Sequence, residues 1–505
     1  MSRLATTIWY GRFHHPEDVH SPHLLPMLAW LALLLLLTAL RLVLPFVEMP
    51  TTEIHTQILQ SLVSGQIWGR QALVSSIEYP PLPTLALLFA EMLSNAIRFP
   101  TPHLLVAISQ VWTLFYLLRI PRGWAGRCCT GAALAVILTV NPEAREVFYR
   151  VDPNWIIAVP AACAIYHFVI WCRQRSLRDV VLVAVNCGLL IFGGAAAISL
   201  ALILLLLASF RVLAWKRRQI MPAEVKGVRM LLWAPGAYAI LLIFVANWLI
   251  MQNAGFFLRR CLSALATLDI SPFLQGLATH LGAVSWLSLG AFGLFLLKLK
   301  SRRQRTIAVG LGASLLALLF TVSALTTLRL YAPGADILVL LLALCGILIP
   351  FYEMPQKRLF PATFGIELLI IALMIMTGAL IPRPGVQPLS LDMPNAPARN
   401  EIIAAIDRYT PETRVMTYGV RAPAHYPDIV ETRFLPKVDF RVKDLRFRAK
   451  SEEFLYILVP PNDGTFYTRT SALADIHEKG RPWLVLETVW PGGWQLWRVL
   501  NPAKL

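Results

Sequence analysis

The sequence predicts a polytopic α-helical membrane protein of about 11–13 transmembrane helices with a C-terminal α/β domain. Three observations predict it. The 505 residues are 57% hydrophobic and only 15% charged, with a mean hydropathy of +0.60, far from the balance of a soluble domain. Apolar runs recur from about Leu24 to Ile381, and mixed polar sequence follows to Leu505. The short loops between the runs are either basic or poor in Lys and Arg, the asymmetry expected of a chain oriented by the positive-inside rule.

Residues 1–23 are mostly polar, and the apolar run after them has no small-residue cleavage site beyond it. It reads as a retained first span at 24–46, with 1–23 as a cytoplasmic N-terminal segment. The stretch 47–80 then holds Glu48, Glu53 and Glu78 against a single Lys or Arg, Arg70, and reads as an outer loop. Basic loops follow at Arg119–Arg127, at Arg173, Arg175 and Arg178, at Lys216–Arg218, at Lys298–Arg305 and at Lys357–Arg358. All can be cytoplasmic if spans lie at about 101–119, 127–141, 153–172, 178–193, 195–213, 229–250, 279–297, 306–328, 335–351 and 362–381. Segment 81–98 must then be a re-entrant or interfacial helix on the outer side, because a full crossing would carry the Arg119–Arg127 loop outside. The resulting odd parity puts 47–80, the segment around Asp152, the amphipathic loop 251–278 and the domain 382–505 on one face of the membrane. The transmembrane domain accordingly covers 24–381.

Within 382–505, Asn400–Tyr409 and Ser471–His477 predict helices, and Arg414–Tyr418 and Phe454–Val459 predict strands. Trp483–Glu487 and Trp494–Val499 predict a hairpin turning at Pro491-Gly492-Gly493. This domain contains no glycine-rich phosphate loop and no nucleophile elbow, so it is expected to shape or cover a cleft.

The formal charge of +17 is explained by cytoplasmic loops, and nucleic-acid binding is set aside. The cysteines, Cys128, Cys129, Cys163, Cys172, Cys187, Cys261 and Cys345, fall in or beside apolar runs and give neither a disulfide framework nor zinc spacing. Few acids lie inside the spans, which gives an ion-coupled transporter little to work with.

The residues able to carry chemistry cluster on the inferred outer face. Asp152 stands before Pro153 at the start of a span, where two roles are open. It can cap the helix, or it can hold a carboxylate at the water–lipid boundary with Arg145, Tyr149 and Arg150 beside it to orient it or meet an anionic headgroup. Glu48 and Glu53 flank Pro50; a helix starting at a Thr51-Thr52 cap would put Glu53 on one face with Gln57. A carboxylate here could deprotonate a hydroxyl or amine attacking a glycosyl phosphate. Arg259 and Arg260, in an outer segment where the charge rule does not call for cations, would serve the leaving phosphate or contact lipid headgroups.

The stretch Ser76-Ile77-Glu78-Tyr79-Pro80-Pro81-Leu82 ends the outer loop with a proline pair at a helix start. Together with Ser64-Gly65, Asn141-Pro142 and Asp152-Pro153, it resembles the GT-C superfamily of integral membrane glycosyltransferases. The similarity is closer to the branch of protein O-mannosyltransferases and the lipid A aminoarabinose transferase, in which Tyr-Pro-Pro-Leu closes the first outer loop. The resemblance implies a bacterial inner-membrane, GT-C-like enzyme with a periplasmic C-terminal domain. It would take a polyprenyl-phosphate-linked sugar as donor and a cell-envelope glycan, lipid or protein as acceptor, with membrane lipids around it. Asp152 matches the second outer acid of that branch, and Glu78 and Tyr79 its substrate-facing motif. The branch opens its first loop with an Asp-Glu pair that would fall on Pro50-Thr51 here; the resemblance leaves two readings, Glu48 or Glu53 standing in for the pair, or a catalytically inactive structural or assembly subunit of an envelope complex. No cofactor is fixed by these residues, a divalent cation being the open candidate.

Overall fold

A computed structural model describes residues 50–63, 65, 67–75, 79–97, 101–121, 123–174, 176–216, 222–255, 286–299, 304–327, 334–349, 366, 369–372, 399–407, 413–417, 434–436, 455–459, 461 and 476–500. All of them belong to one unit of the chain, Phe46–Leu505. The expected span at 24–46, most of that at 362–381 and most of the loop 251–278 lie outside the described residues.

Three helices come first: α1 (Pro50–Val63), α2 (Ile67–Ser75) and α3 (Pro81–Ile97). The sequence reading began the first of them at a Thr51-Thr52 cap. The structure begins it at Pro50, because a proline in the first turn has its φ preset and lacks only an N–H that a helix start would leave unpaired. Gly65 takes the left-handed φ of 74° that lets the chain turn between α1 and α2. Pro81 likewise opens α3. Then follow α4 (Thr101–Arg119), α5 (Gly123–Val140), the short α6 (Pro142–Tyr149), α7 (Trp155–Gln174), α8 (Leu177–Leu190) with a 3-10 turn at Ile191–Gly193, α9 (Ala195–Lys216), α10 (Pro222–Met251), α11 (Trp286–Lys298), α12 (Arg305–Thr327) and α13 (Ala335–Leu348).

Among the described residues, five stretches are long and apolar enough to cross a membrane: Thr101–Arg119, Trp155–Arg173, Ala195–Leu213, Val225–Met251 and Arg305–Leu325. Shorter apolar helices occur at Pro81–Met92, Gly126–Val140, Leu287–Lys298 and Ala335–Leu348. The protein is thus a multi-pass helical membrane protein. Its helices pack by removing side chains where backbones must meet: a Cβ on Gly346 of α13 would lie 2.7 Å from Ala291 Cβ of α11, and one on Gly188 of α8 would lie 3.1 Å from the Pro235 carbonyl of α10.

The bridging side chains join like ends of the helices. At the ends that carry the acidic loop, Asn247 of α10 donates to the Val74 carbonyl of α2 at 3.1 Å, and Thr321 of α12 donates to Ser199 of α9 at 2.9 Å. At the ends that carry the basic loops, Trp233 of α10 donates to Ser209 of α9 at 2.8 Å, and His167 of α7 meets Asp179 of α8 at 2.8 Å. Helix α3 sits at the first of these two ends, since its Leu87 and Ala90 share one core with Leu59 of α1, Leu105 of α4 and Ile156 of α7. Its other face exposes Leu85, Phe89 and Met92, an apolar stripe at helical spacing.

The C-terminal domain holds α14 (Arg399–Ile406), β1 (Arg414–Thr417), β2 (Phe434–Pro436), β3 (Leu455–Val459), α15 (Ile476–Lys479), β4 (Leu484–Val489) and β5 (Gln495–Val499). The strands form one sheet in the order β2-β1-β3-β5-β4. The β1–β2 and β1–β3 pairs are parallel, and the β3–β5 and β4–β5 pairs antiparallel. Ile402 and Ile406, one turn apart on α14, pack with Val415, Tyr456, Leu458, Trp494 and Leu496. The hairpin turns through Gly492 and Gly493, both at φ near 90°, which only glycine adopts freely. Strand β2 was not foreseen: Phe-Leu-Pro is too short to show alternation, and parallel pairing to β1 is what makes it a strand.

Candidate functional site

The stretch joining α5 to α7 is folded by local polar residues. Asn141 accepts the Ala144 N–H at 3.0 Å and caps α6, with Pro142 in the first turn. Helix α6 is closed at Arg150, whose N–H donates to Glu146 O at 3.1 Å. Asp152 then turns the chain into α7. Its Oδ1 accepts from the Asn154 N–H at 2.9 Å and from Asn154 Nδ2 at 2.8 Å, while its backbone carbonyl accepts the Trp155 N–H at 3.0 Å. The residue is 1% exposed, so a carboxylate is held at this end of the bundle almost out of solvent. Trp155 donates its indole N–H to Val147 O at 3.3 Å and stacks edge-on to Phe148, with ring centres 5.7 Å apart. Gln110 of α4 donates to Phe148 O. These bonds fold α6 back onto α4 and α7.

The N-terminus of α13 completes this corner. Gly334 caps it at φ 65°, and a Cβ there would stand 3.1 Å from Ile157 and 3.4 Å from Asn154 Cβ; only glycine gives both that backbone and that approach. Asp336, in the first turn of α13, forms an ion pair with Arg150 and accepts the Ile337 N–H at 2.9 Å. Arg150 has a side chain only 13% exposed, and Asp336 one 42% exposed. An apolar cavity of about 10 Å³, lined by Gln110, Phe148, Trp155, Leu340 and Leu344 among others, lies between α4, α6, α7 and α13. It has room for about one water.

The expected residues divide as follows. Asp152, Tyr149 and Arg150 stand together on this corner, and Tyr149 packs edge-on to Phe148 at 5.5 Å. Arg145 is exposed on α6. Tyr79 is buried with Ile58 and Ala72, where it holds α1, α2 and the start of α3 together. Glu53 lies in the second turn of α1, and its side chain is outside the described residues. Glu48, Glu78, Arg259 and Arg260 also fall outside them. Among the described residues no group of three or more His, Cys, Asp or Glu side chains converges as a metal site.

Two features escaped the sequence reading. Asp336 was legible as an acid two residues past a glycine at the outer start of a span, on the same side by the same charge rule. His55 was not singled out. It is fully buried, its Nδ1 is 2.8 Å from Thr84 Oγ1 of α3, and its ring meets Tyr79 edge-on at 5.9 Å. Burial pushes its imidazole from 6.5 down to about 3. Its folded pKa is thus below the unfolded one, and between pH about 6.5 and 3 the unfolded loop takes up a proton that the folded loop refuses. The stability is fully present above that window and falls by up to about 1.4 kcal/mol per pH unit as pH drops through it. Hydrogen exchange of residues 50–97 in lipid nanodiscs, corrected for intrinsic rates, should show protection falling from pH 7 to pH 5. The fall should be absent in His55→Gln, and a flat wild-type profile would refute the burial argument.

No protein-family model matches the chain, and no curated protein matches it. Among solved structures, the fold is similar to ArnT from Cupriavidus metallidurans bound to undecaprenyl phosphate. That match has 12% identity and a TM-score of 0.45, covering 94% of this chain and 97% of the other. At that identity and score the likeness assigns neither residues nor activity.

Proposed function

We propose that this protein is a GT-C-like membrane glycosyltransferase that moves a sugar from a polyprenyl-phosphate donor to a cell-envelope acceptor at the periplasmic face of a bacterial inner membrane. The observation that carries the reading is the corner at which buried Asp152, the Arg150–Asp336 pair and the loop closed by Tyr79-Pro80-Pro81 share one end of the bundle, linked through the core of Leu59, Leu87 and Ile156. In this reading a carboxylate of Asp152, Glu48 or Glu53 takes the proton of an acceptor hydroxyl or amine as it attacks the anomeric carbon. The bond from that carbon to the phosphate oxygen breaks, and polyprenyl phosphate leaves with its charge met by Arg150, Arg259 or Arg260. A divalent cation beside that phosphate is compatible with this scheme and not required by it.

Purified protein in native lipid, supplied with radiolabelled lipid-linked sugars and envelope acceptors, should transfer label. The absence of both donor binding and turnover across a range of donors and acceptors would sink the proposal. The sidedness has its own test in a cysteine-free background. Ser64→Cys and Asn462→Cys should react with an impermeant thiol reagent from the periplasm, and Ser301→Cys should not; the reverse pattern removes a periplasmic site.

A second reading, a catalytically inactive structural or assembly subunit, is favoured by one observation. Asp152 Oδ1 is engaged by Asn154, and Arg150 by Asp336, so both have roles in holding the fold.

A further inference from the structure

At the ends carrying the basic loops, three helices meet closely. Gly310 of α12 admits Phe168 of α7 and Leu207 of α9; a Cβ there would lie 3.0 Å from the Phe168 ring and 3.7 Å from Leu207 Cδ1. One turn further along, Arg211 of α9 spans both neighbours. It donates to the Cys172 carbonyl of α7 and to Thr306 Oγ1 of α12, each at 3.3 Å. Both acceptors are neutral, and both bonds are at the long end of the range.

The charge at this junction is one-sided. Helices α7, α9 and α12 carry Arg173, Arg211, Lys216 and Arg305 and no Asp or Glu. The acid in the first turn of α8, Asp179, is engaged by His167 at 2.8 Å. Among the described residues no carboxylate pairs with Arg211, which is half-buried. A guanidinium partly withdrawn from water beside further cations is stabilised by a counter-anion, and its fork fits phosphate. The same two helices carry exposed apolar stripes: Val309, Leu316 and Phe320 on α12, and, more than a quarter of a turn round from Arg211, Leu206, Phe210 and Leu213 on α9. An anion that also carries acyl chains satisfies both features.

We propose that Arg211, with Arg305 one residue before its Thr306 partner, holds the headgroup phosphate of an anionic phospholipid where α7, α9 and α12 meet. The acyl chains lie along the exposed stripes, and the Thr306 hydroxyl is placed to donate to a phosphate oxygen. The site does not depend on the transferase reading.

The test is native mass spectrometry of the full chain in detergent with equimolar dioleoyl phosphatidylglycerol and dioleoyl phosphatidylethanolamine. Wild type should retain phosphatidylglycerol over phosphatidylethanolamine by at least about five-fold for each engaged cation. Arg211→Gln should bring the ratio near one, and Arg305→Gln, at an exposed position where folding is not at stake, should lower it measurably. Millimolar inorganic phosphate should leave the lipid bound; displacement by it would mean that the junction reads free phosphate and would overturn the lipid assignment. Equal retention of the two lipids by wild type would overturn the proposal. So would an unchanged ratio in Arg305→Gln and in Arg211→Gln; if Arg211→Gln does not fold, the Arg305→Gln ratio decides alone.

Discussion

Asp152→Asn should lower sugar transfer by at least about 100-fold while leaving the yield of folded protein near wild type. The structure makes this substitution a clean one. Asparagine keeps an Oδ1 that can accept both bonds from Asn154, so the turn into α7 survives. What is lost is the negative charge, held at 1% exposure. A residue that only caps a helix would cost roughly 0.5–2 kcal/mol even as alanine and little as asparagine. A carboxylate that orients an acceptor or takes its proton supplies about 10²–10⁴-fold in rate. The measurement is turnover at saturating radiolabelled donor, beside Glu48→Gln and Glu53→Gln, which locates the base that the missing Asp-Glu pair would have supplied. Parental rates in all three folded variants would exclude a carboxylate mechanism and leave the structural-subunit reading.

Arg150→Gln should cost more activity than Asp336→Asn, about 100-fold against less than 10-fold. Both substitutions break the same ion pair, and both should loosen the contact between the α6–α7 connection and α13. The partial exposure of Asp336 keeps the pair weaker than a fully buried one, since solvent screens it. A double-mutant cycle on thermal unfolding should return a coupling of about 0.5–3 kcal/mol. The two variants differ in what remains. Asp336→Asn leaves a guanidinium free to meet a lipid phosphate, whereas Arg150→Gln removes the only partner with charge for that phosphate on this stretch besides exposed Arg145. A 100-fold loss is about 2.7 kcal/mol of transition-state stabilisation, within the range of a charge-assisted contact to phosphate. Equal losses in the two single variants with no further loss in the double would make the pair a strut and nothing more.

Much of the architecture was legible because a bilayer leaves few options. A backbone in hydrocarbon must satisfy its own hydrogen bonds, so apolar runs become helices, and loop charge orients them. That reasoning located α4, α5, α7, α8, α9, α10, α11, α12 and α13, while the hairpin of β4 and β5 was legible from its strand pattern and turn glycines. It also singled out Asp152, because a carboxylate before proline at a helix start has local consequences that a sequence displays. Tyr79 and its prolines were legible as a loop end for the same local reason.

The pairings were not local, and only the tertiary structure decided them. Arg150 and Asp336 lie 186 residues apart, and nothing in the sequence near either one selects the other. They meet where α13 starts on Gly334, whose φ of 65° a side chain would strain and whose Cβ would press to 3.1 Å from Ile157. His55 and Thr84 are ordinary polar residues in sequence, and become a sealed contact only when α3 is laid across α1. Arg211 reads as one more cation near a basic loop until Gly310 draws three helices together around it. The sequence by itself determined where the apolar helices lie and which of their ends face together, since both follow from hydrophobicity and charge along the chain; α2 and α6, in stretches it read as loop, are helices only in the fold. Which side chains share a site was decided by close packing, which depends on where glycines allow backbones to touch.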